Sequence, residues 1–339
     1  MKTILRSFAL FLGLVALASC GGKKEVEPAG GAIPFRLAIS PSSGQGALPY
    51  VIAKFHLDTK YGFAVEQVDF AAPGQQYMLA RTDAADVFPG NFAEVQRQRK
   101  AGIGIKSFRA FESYSNQIVV PAGSDIRSFA DIKGRRFGQF GTTMVDWLIL
   151  RAAGKRAYGF DIEKDATAIG GAPPLLNQML SRGSIDAAIQ FRSVALSPVA
   201  TGQLRVVGDI PQLIKQAGFD PNAYYLLWNV TDKWLERHPD PNAIRKLDAM
   251  FAEAYRILAT NDQVWEEIGK QVGVKPELIP AFRDGTRKAE NPPYRPELIA
   301  ATQRLLDAIV ATTGPAAVGV TRVDPDAFLF PAEPEGSSK

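Results

Sequence analysis

The residues of this 339-residue chain that could do chemistry are suited to binding rather than to bond making. Arg192 follows the apolar run Ile185–Phe191, "IDAAIQF". A guanidinium at the end of a strand can hold a carboxylate, sulfonate or nitrate through paired hydrogen bonds. It can equally lie on the surface or form an ion pair between two parts of the molecule. Gly141, Thr142 and Thr143 open a helical pattern, where free backbone amides favour an anion. The same stretch fits simple capping, with Thr143 and Asp146 as a capping box, and Asp146 would oppose an anion. Ser40, Ser42, Ser43 and Gln45 follow the first strand pattern. Short hydroxyls and glycine-freed amides there either bind an oxyanion or make an ordinary polar loop. Asn91, Ser113, Tyr114, Asn116 and Gln190 also fall at strand ends. Trp228 and Tyr225 either stack a ring and wall a cleft or pack a core.

Catalytic patterns are missing. The two histidines, His56 and His238, fall on separate helical segments, and Glu266 and Glu267 read as solvated helix positions. There is no HExxH, P-loop, GxSxG or strand-preceded GxGxxG. The single cysteine, Cys20, excludes an internal disulfide and a cysteine metal site. The expectation is a binding protein, not an enzyme, with no cofactor and no metal.

These residues need a scaffold that gathers strand ends, and the chain alternates strand and helix patterns throughout. Strands are expected at "FRLAIS" (35–40), "AVEQVDF" (64–70), "ADVF" (85–88) and "IGIKSFRAF" (103–111). The pattern then restarts with "NQIVVPAG" (116–123), a strand ending at Phe140, "IDAAIQF" (185–191), "LRVVGDI" (204–210) and "YYLLWNV" (224–230). Helices of about ten residues between strands signal βαβ units on a mostly parallel sheet. The phrase "LARTDAADVFPG" (79–90) has an echo in "LSRGSIDAAIQFR" (180–192). The two are read as equivalent elements of two similar α/β lobes. Open α/β sheets bind ligands at the carboxyl ends of their strands, so two such edges facing each other would form a cleft.

The first residues read as a leader. "MKTILR" is basic, and the apolar run "SFALFLGLVALA" is shorter than the roughly 20 residues that span a bilayer. "LASC" (17–20) resembles a bacterial lipobox, with Cys20 the acylated residue. Gly21 after it resembles the default outer-membrane sorting pattern. The Gly- and charge-rich segment that follows reads as a tether. Net charge is +4, and losing Lys2 and Arg6 with the leader brings it to +2, too low for a dedicated nucleic-acid binder. The basic run Arg97–Lys100 reads as a solvated helix end.

Two stretches carry a family resemblance. In "SDIRSFADIKGRRFGQFGTT" a turn at Asp131-Ile132-Lys133-Gly134-Arg135 leads to a strand and a Gly-Thr helix start. "GGAPPLLNQMLSRGSIDAAI" follows. With "YVIAKFHLDTKYGFAVEQVDF" (50–70), these resemble the periplasmic solute-binding proteins of nitrate, taurine and alkanesulfonate ABC importers. That resemblance implies an α/β, two-lobed periplasmic-binding-protein (type II) fold with two crossovers, near 112–116 and 222–228. The C-terminal helices would return to the first lobe. The expected organisation is leader 1–19, tether 20–33, lobe 1 from 34–114 and 226–330, lobe 2 from 115–225, and tail 331–339. It implies a monomer, lipid-anchored on the extracytoplasmic or periplasmic face, that captures a small anionic solute and delivers it to a permease and its ATPase. Enzymes of pyrimidine-precursor and menaquinone synthesis share the architecture and supply the alternative. A sensor or adhesin lipoprotein is a third reading.

Overall fold

The computed structural model describes residues 31–41 and 45–331. The leader, Cys20, most of the tether, Ser42, Ser43 and all but the first residue of the tail lie outside the described residues.

Nine strand patterns form strands, and a tenth strand, Thr167–Gly170, joins them among the described residues. They are β1 (Ile33–Ile39), β2 (Phe63–Asp69), β3 (Val87–Asn91), β4 (Ile105–Glu112), β5 (Gln117–Pro121), β6 (Arg136–Gln139), β7 (Thr167–Gly170), β8 (Ala187–Gln190), β9 (Leu204–Asp209) and β10 (Leu226–Thr231). They make two five-stranded sheets, ordered β2-β1-β3-β10-β4 and β7-β6-β8-β5-β9. In the first, β1 runs parallel to β2 and β3, and β10 is antiparallel to β3 and β4. In the second, β6 runs parallel to β7 and β8, and β5 is antiparallel to β8 and β9. Each sheet is therefore mostly parallel with helices on its faces, as the alternating pattern requires. The chain passes between the sheets at Ser113–Asn116 and again before β10.

The echoed phrase folds the same way in both sheets. The Asp86 carboxylate accepts from the Arg36 N–H and Nε, both at 2.8 Å, and the Asp86 N–H donates to the Arg36 carbonyl at 2.9 Å. One hundred residues on, the Asp186 carboxylate accepts from the Arg136 N–H at 2.8 Å and Nε at 3.1 Å, and its N–H donates to the Arg136 carbonyl at 2.9 Å. Ahead of each aspartate the chain turns through a left-handed residue, Asp83 (φ 56°) or Gly183 (φ 65°). The carbonyl of that residue accepts from the same arginine. The turn explains why only Gly or a short polar residue serves there. The two clamps differ in burial. The Asp86 side chain is 3% exposed and also pairs with Arg237, while Asp186 is 27% exposed. A buried carboxylate depends far more on keeping its partners.

Each sheet has its own apolar core. On the first sheet, Leu247, Met250, Phe251, Ala254 and Leu258 of the helix Pro241–Thr260 are buried at helical spacing. Each large side chain there contributes about 1.5–3 kcal/mol by leaving water. The helices Ala47–Lys54, Asp262–Gln271 and Ile279–Ala289 join that core. The next helix, Leu298–Thr313, does otherwise. Its Leu305, Leu306 and Ile309 are buried with Trp147 and Leu150 of the helix Val145–Ala153, beside the second sheet. The basic run is not a solvated end either. Arg97 donates to the Val318 carbonyl at 3.0 Å, Arg99 to Asp324 at 2.7 Å and Lys100 to the Gly319 carbonyl at 3.0 Å. It pins the C-terminal segment to the helix Phe92–Lys100.

Candidate functional site

Strand ends from both sheets line common space. A chamber of about 590 Å³ is walled by Ile39 at the end of β1 and Pro41 after it, by Pro49 and Tyr50, by Gln67 of β2, and by Ile268, Val272 and Phe282. Ser193 and Val194, just beyond β8, close it from the second sheet. Its volume lies in the range of small-molecule sites. Of the candidates after β1, Ser40 is buried, and its N–H donates to Gln45 Oε1 at 2.8 Å. Gln45 therefore shapes the loop at the chamber's edge. Glu267 is not a free helix carboxylate, because Tyr50 and Lys54 both donate to it beside this wall.

Deeper between the sheets, Ser193 and Phe282 also border a smaller cavity of about 40 Å³. Glu112 from the end of β4, Glu290 and Arg192 share this cavity. The backbones of Glu112 and Glu290 pair antiparallel, which sets two carboxylates side by side. Burial raises both of their pKa values above the ordinary carboxylate range. The neighbouring Glu112 pushes Glu290 further, well above it, and Arg192 partly offsets the rise in each. A like-charged pair out of water holds a proton for this reason. Burial lowers the Arg192 pKa, and Glu112 and Glu290 draw it back up. Among the described residues the Arg192 guanidinium makes no direct ion pair or hydrogen bond. Its two acidic partners act across the cavity, which has room for about two waters.

The two crossovers meet at Asp146. The Tyr114 and Tyr225 rings stack with centroids 4.4 Å apart. Tyr225 Oη donates to Asp146 Oδ2 at 2.9 Å, and Asn116 Nδ2 donates to Asp146 Oδ1 and to Tyr225 Oη, both at 3.0 Å. Tyr114 Oη donates to the Tyr224 carbonyl at 3.2 Å. Burial pushes the Asp146 carboxyl up to about 6 despite these hydrogen bonds. The capping-box expectation fails here. The helix starts at Val145 with Met144 as its uncapped N-terminal neighbour, so the Asp146 carboxylate turns inward. Beside this junction a cavity of about 380 Å³ is lined by Ser113, Tyr114, Arg192, Asp209, Gly285 and Lys288, among others.

Residues 59–263 match the family described as NMT1/THI5 like. The chain belongs to that family. No curated protein sequence matches it. Among solved structures it is similar to the alkanesulfonate-binding protein SsuA from Xanthomonas axonopodis pv. citri bound to MOPS. The TM-score is 0.72 at 15% identity, covering 89% of this chain and 100% of that one. It is also similar to the periplasmic nitrate-binding protein NrtA from Synechocystis PCC 6803 (TM-score 0.63, 14% identity, 87% of each chain). The desulfurization enzyme DSZB shares the fold too (TM-score 0.58, 15% identity, 86% of this chain and 95% of that one). The architecture is therefore the two-lobed periplasmic-binding-protein fold.

In this NMT1/THI5-like chain the strand-end candidates divide into two groups. Ser40, Gln45, Ser113, Tyr114, Asn116 and Arg192 come to the boundary between the sheets. The others take structural positions. Asn91 caps the helix Phe92–Lys100, its Oδ1 accepting from the Glu94 N–H at 2.9 Å. Gln190 Nε2 donates to the Pro173 carbonyl at 2.7 Å and to Asn177 at 2.8 Å, tying β8 to its neighbouring helix. Trp228 is wholly buried against Phe111 and Phe251, with Nε1 donating to Tyr255 Oη at 2.7 Å. Gly141, Thr142 and Thr143 form a turn ahead of the helix that also reaches the boundary, since the Thr143 carbonyl accepts from Arg97 of the first-sheet helix at 2.9 Å. Sequence reasoning missed Glu112, Glu290 and Gly285. Only the end of β4 was in view as a strand end, and the approach of residues 285–290 leaves no local pattern. Among the described residues no group of three or more His, Cys, Asp or Glu side chains is arranged to hold a metal. No described helix is long and apolar enough to cross a membrane.

Proposed function

We propose that the protein is the solute receptor of an ABC importer, taking a small molecule between its two sheets and handing it to a permease and its ATPase. The observation that carries this is the shared chamber, where the end of β1 in one sheet meets the residues after β8 in the other. Ligand would shift the balance between open and closed arrangements, and the permease would read the closed one. The lobes proposed to move are 34–114 with 226–330, and 115–225, with the helix Leu298–Thr313 packing against the second of them. Likeness to sulfonate- and nitrate-binding proteins supports a sulfonate, nitrate or carboxylate as the first solutes to try. The two carboxylates facing Arg192 argue for including uncharged heteroaromatic solutes in the same screen.

Thermal unfolding with such a panel tests the proposal. A true solute at about 100 times its Kd stabilises by about 2.7 kcal/mol. In a protein of this size that corresponds to a Tm rise of roughly 5–10 °C. A panel without effect, together with no co-purification of a permease, would sink the receptor. The enzyme alternative is favoured by one observation, the shared fold of DSZB. Turnover of a bound solute by the pure protein would establish it.

The lipobox supports an extracytoplasmic location for the receptor, with anchoring through an acylated Cys20. Intact mass of the membrane-extracted protein should show an acyl-modified N-terminal cysteine, lost in Cys20→Ser. An unmodified N-terminus would remove the anchor.

A further inference from the structure

Gly285 sits inside the helix Ile279–Ala289, where glycine costs about 1 kcal/mol relative to alanine. Its φ is not in the left-handed region, so backbone freedom does not explain it. Close approach does. A β-carbon built at position 285 would fall 1.4 Å from Arg192 Nη1 and 2.6 Å from Arg192 Cζ. The guanidinium carried by the second sheet therefore reaches, Nη1 first, against the backbone of a helix that packs on the first. Both residues line the cavity of about 380 Å³ beside the crossovers, with Lys288 and Asp209. On its other side Arg192 faces the cavity it shares with Glu112 and Glu290.

We propose that Gly285 is a positioning residue for Arg192, seating it opposite Glu112 and Glu290 as a charged latch that holds the two sheets closed, and that holding them closed, not binding an anionic solute, is the task of Arg192. This deepens the receptor proposal and rests on it, since a latch matters only if the sheets move. The carboxylates come from the end of β4 and from the segment after Ala289, and the cation from the helix that follows β8. Opening must separate them. Ser115 Oγ donates to Glu112 Oε1 at 2.5 Å, which fixes one of the two carboxylates on the first crossover. A side chain at 285 would lift the guanidinium out of its seat without touching either carboxylate.

The test measures closure with no solute present. Spin labels are attached at Met78→Cys and Leu175→Cys, two exposed positions beside different sheets, in a Cys20→Ser background. Pulsed electron spin resonance then reads the distance between them. The wild-type pair should show a short-distance population. Gly285→Ala and Arg192→Ala should each reduce the closed-to-open ratio by roughly tenfold, the scale of coupling between contacting residues. Gly285→Ala added to Arg192→Ala should change nothing more, because it acts only through Arg192. The latch is overturned if Gly285→Ala leaves the distances unchanged, or if its effect persists in the Arg192→Ala background. Loss of only anionic solutes in Arg192→Ala, with unchanged ligand-free distances, would overturn the latch and leave the receptor standing. A solute panel without effect on Tm would remove the receptor itself.

Discussion

Between pH 4 and pH 7.5 the stability of the protein relative to its Asp146→Asn variant should fall by about 2 kcal/mol. Asp146 is 2% exposed, and its carboxyl is raised from 3.8 to about 6 by burial. In the unfolded chain the same group loses its proton near 3.8. Between those values the native state binds more protons than the unfolded state, so stability drops as pH rises through the window. Well above pH 6 both states are ionised and the loss is complete. Asparagine does not titrate, which makes the difference between the two proteins a direct reading of this one group. Urea unfolding at four pH values provides the measurement. A difference that stays flat, or that grows with pH, would show that Asp146 is ionised comfortably in the native state. The effect belongs to the junction of the two crossovers, since Asn116 and Tyr225 are its partners.

Trp228→Ala should destabilise the protein by about 3–5 kcal/mol with an unchanged m-value. The ring packs at 4.8 Å from Phe111 and 5.1 Å from Phe251, and its N–H is bonded to Tyr255. Truncation leaves a cavity and strands a buried hydroxyl. Trp228→Phe should keep most of the packing and lose mainly the hydrogen bond, about 1 kcal/mol. If Trp228 walled the cleft, Trp228→Ala would weaken solute binding and leave the denaturation midpoint nearly in place. Equilibrium unfolding separates these outcomes without knowledge of the solute.

The alternation of strand and helix was legible because apolar runs and glycine breaks are local. The strand missed was β7. Thr167, Ala168 and Gly170 are exposed, so this edge strand has no apolar face to read. The site was less legible. Strand ends in this fold supply the cleft and also the crossovers, and the same residue types serve both. Asn116 and Asp146 are 30 residues apart and Asp146 and Tyr225 are 79 apart, so neither partnership has a spacing signature. Thr143 and Asp146 do have a capping spacing, and the helix declines it by starting two residues later than Thr143. Arg192 stood out from the sequence. Gly285 did not, because a glycine in a helix becomes meaningful only once the side chain lying on it is known.

The placement of the two antiparallel strands bears on how the chain assembles as it emerges N-terminus first. In the second sheet the antiparallel strand β5 is the first of its five to be synthesised, and it lies between β8 and β9. That sheet closes within about a hundred residues of chain, using contacts of modest sequence separation. In the first sheet the antiparallel strand is β10, the last to arrive, and it fits between β3 and β4. An open slot therefore stands in the middle of the first sheet until Thr231 has been made. Long-range pairing of this kind is slow and leaves strand edges exposed meanwhile. The sheet that begins first is consequently the second to be completed.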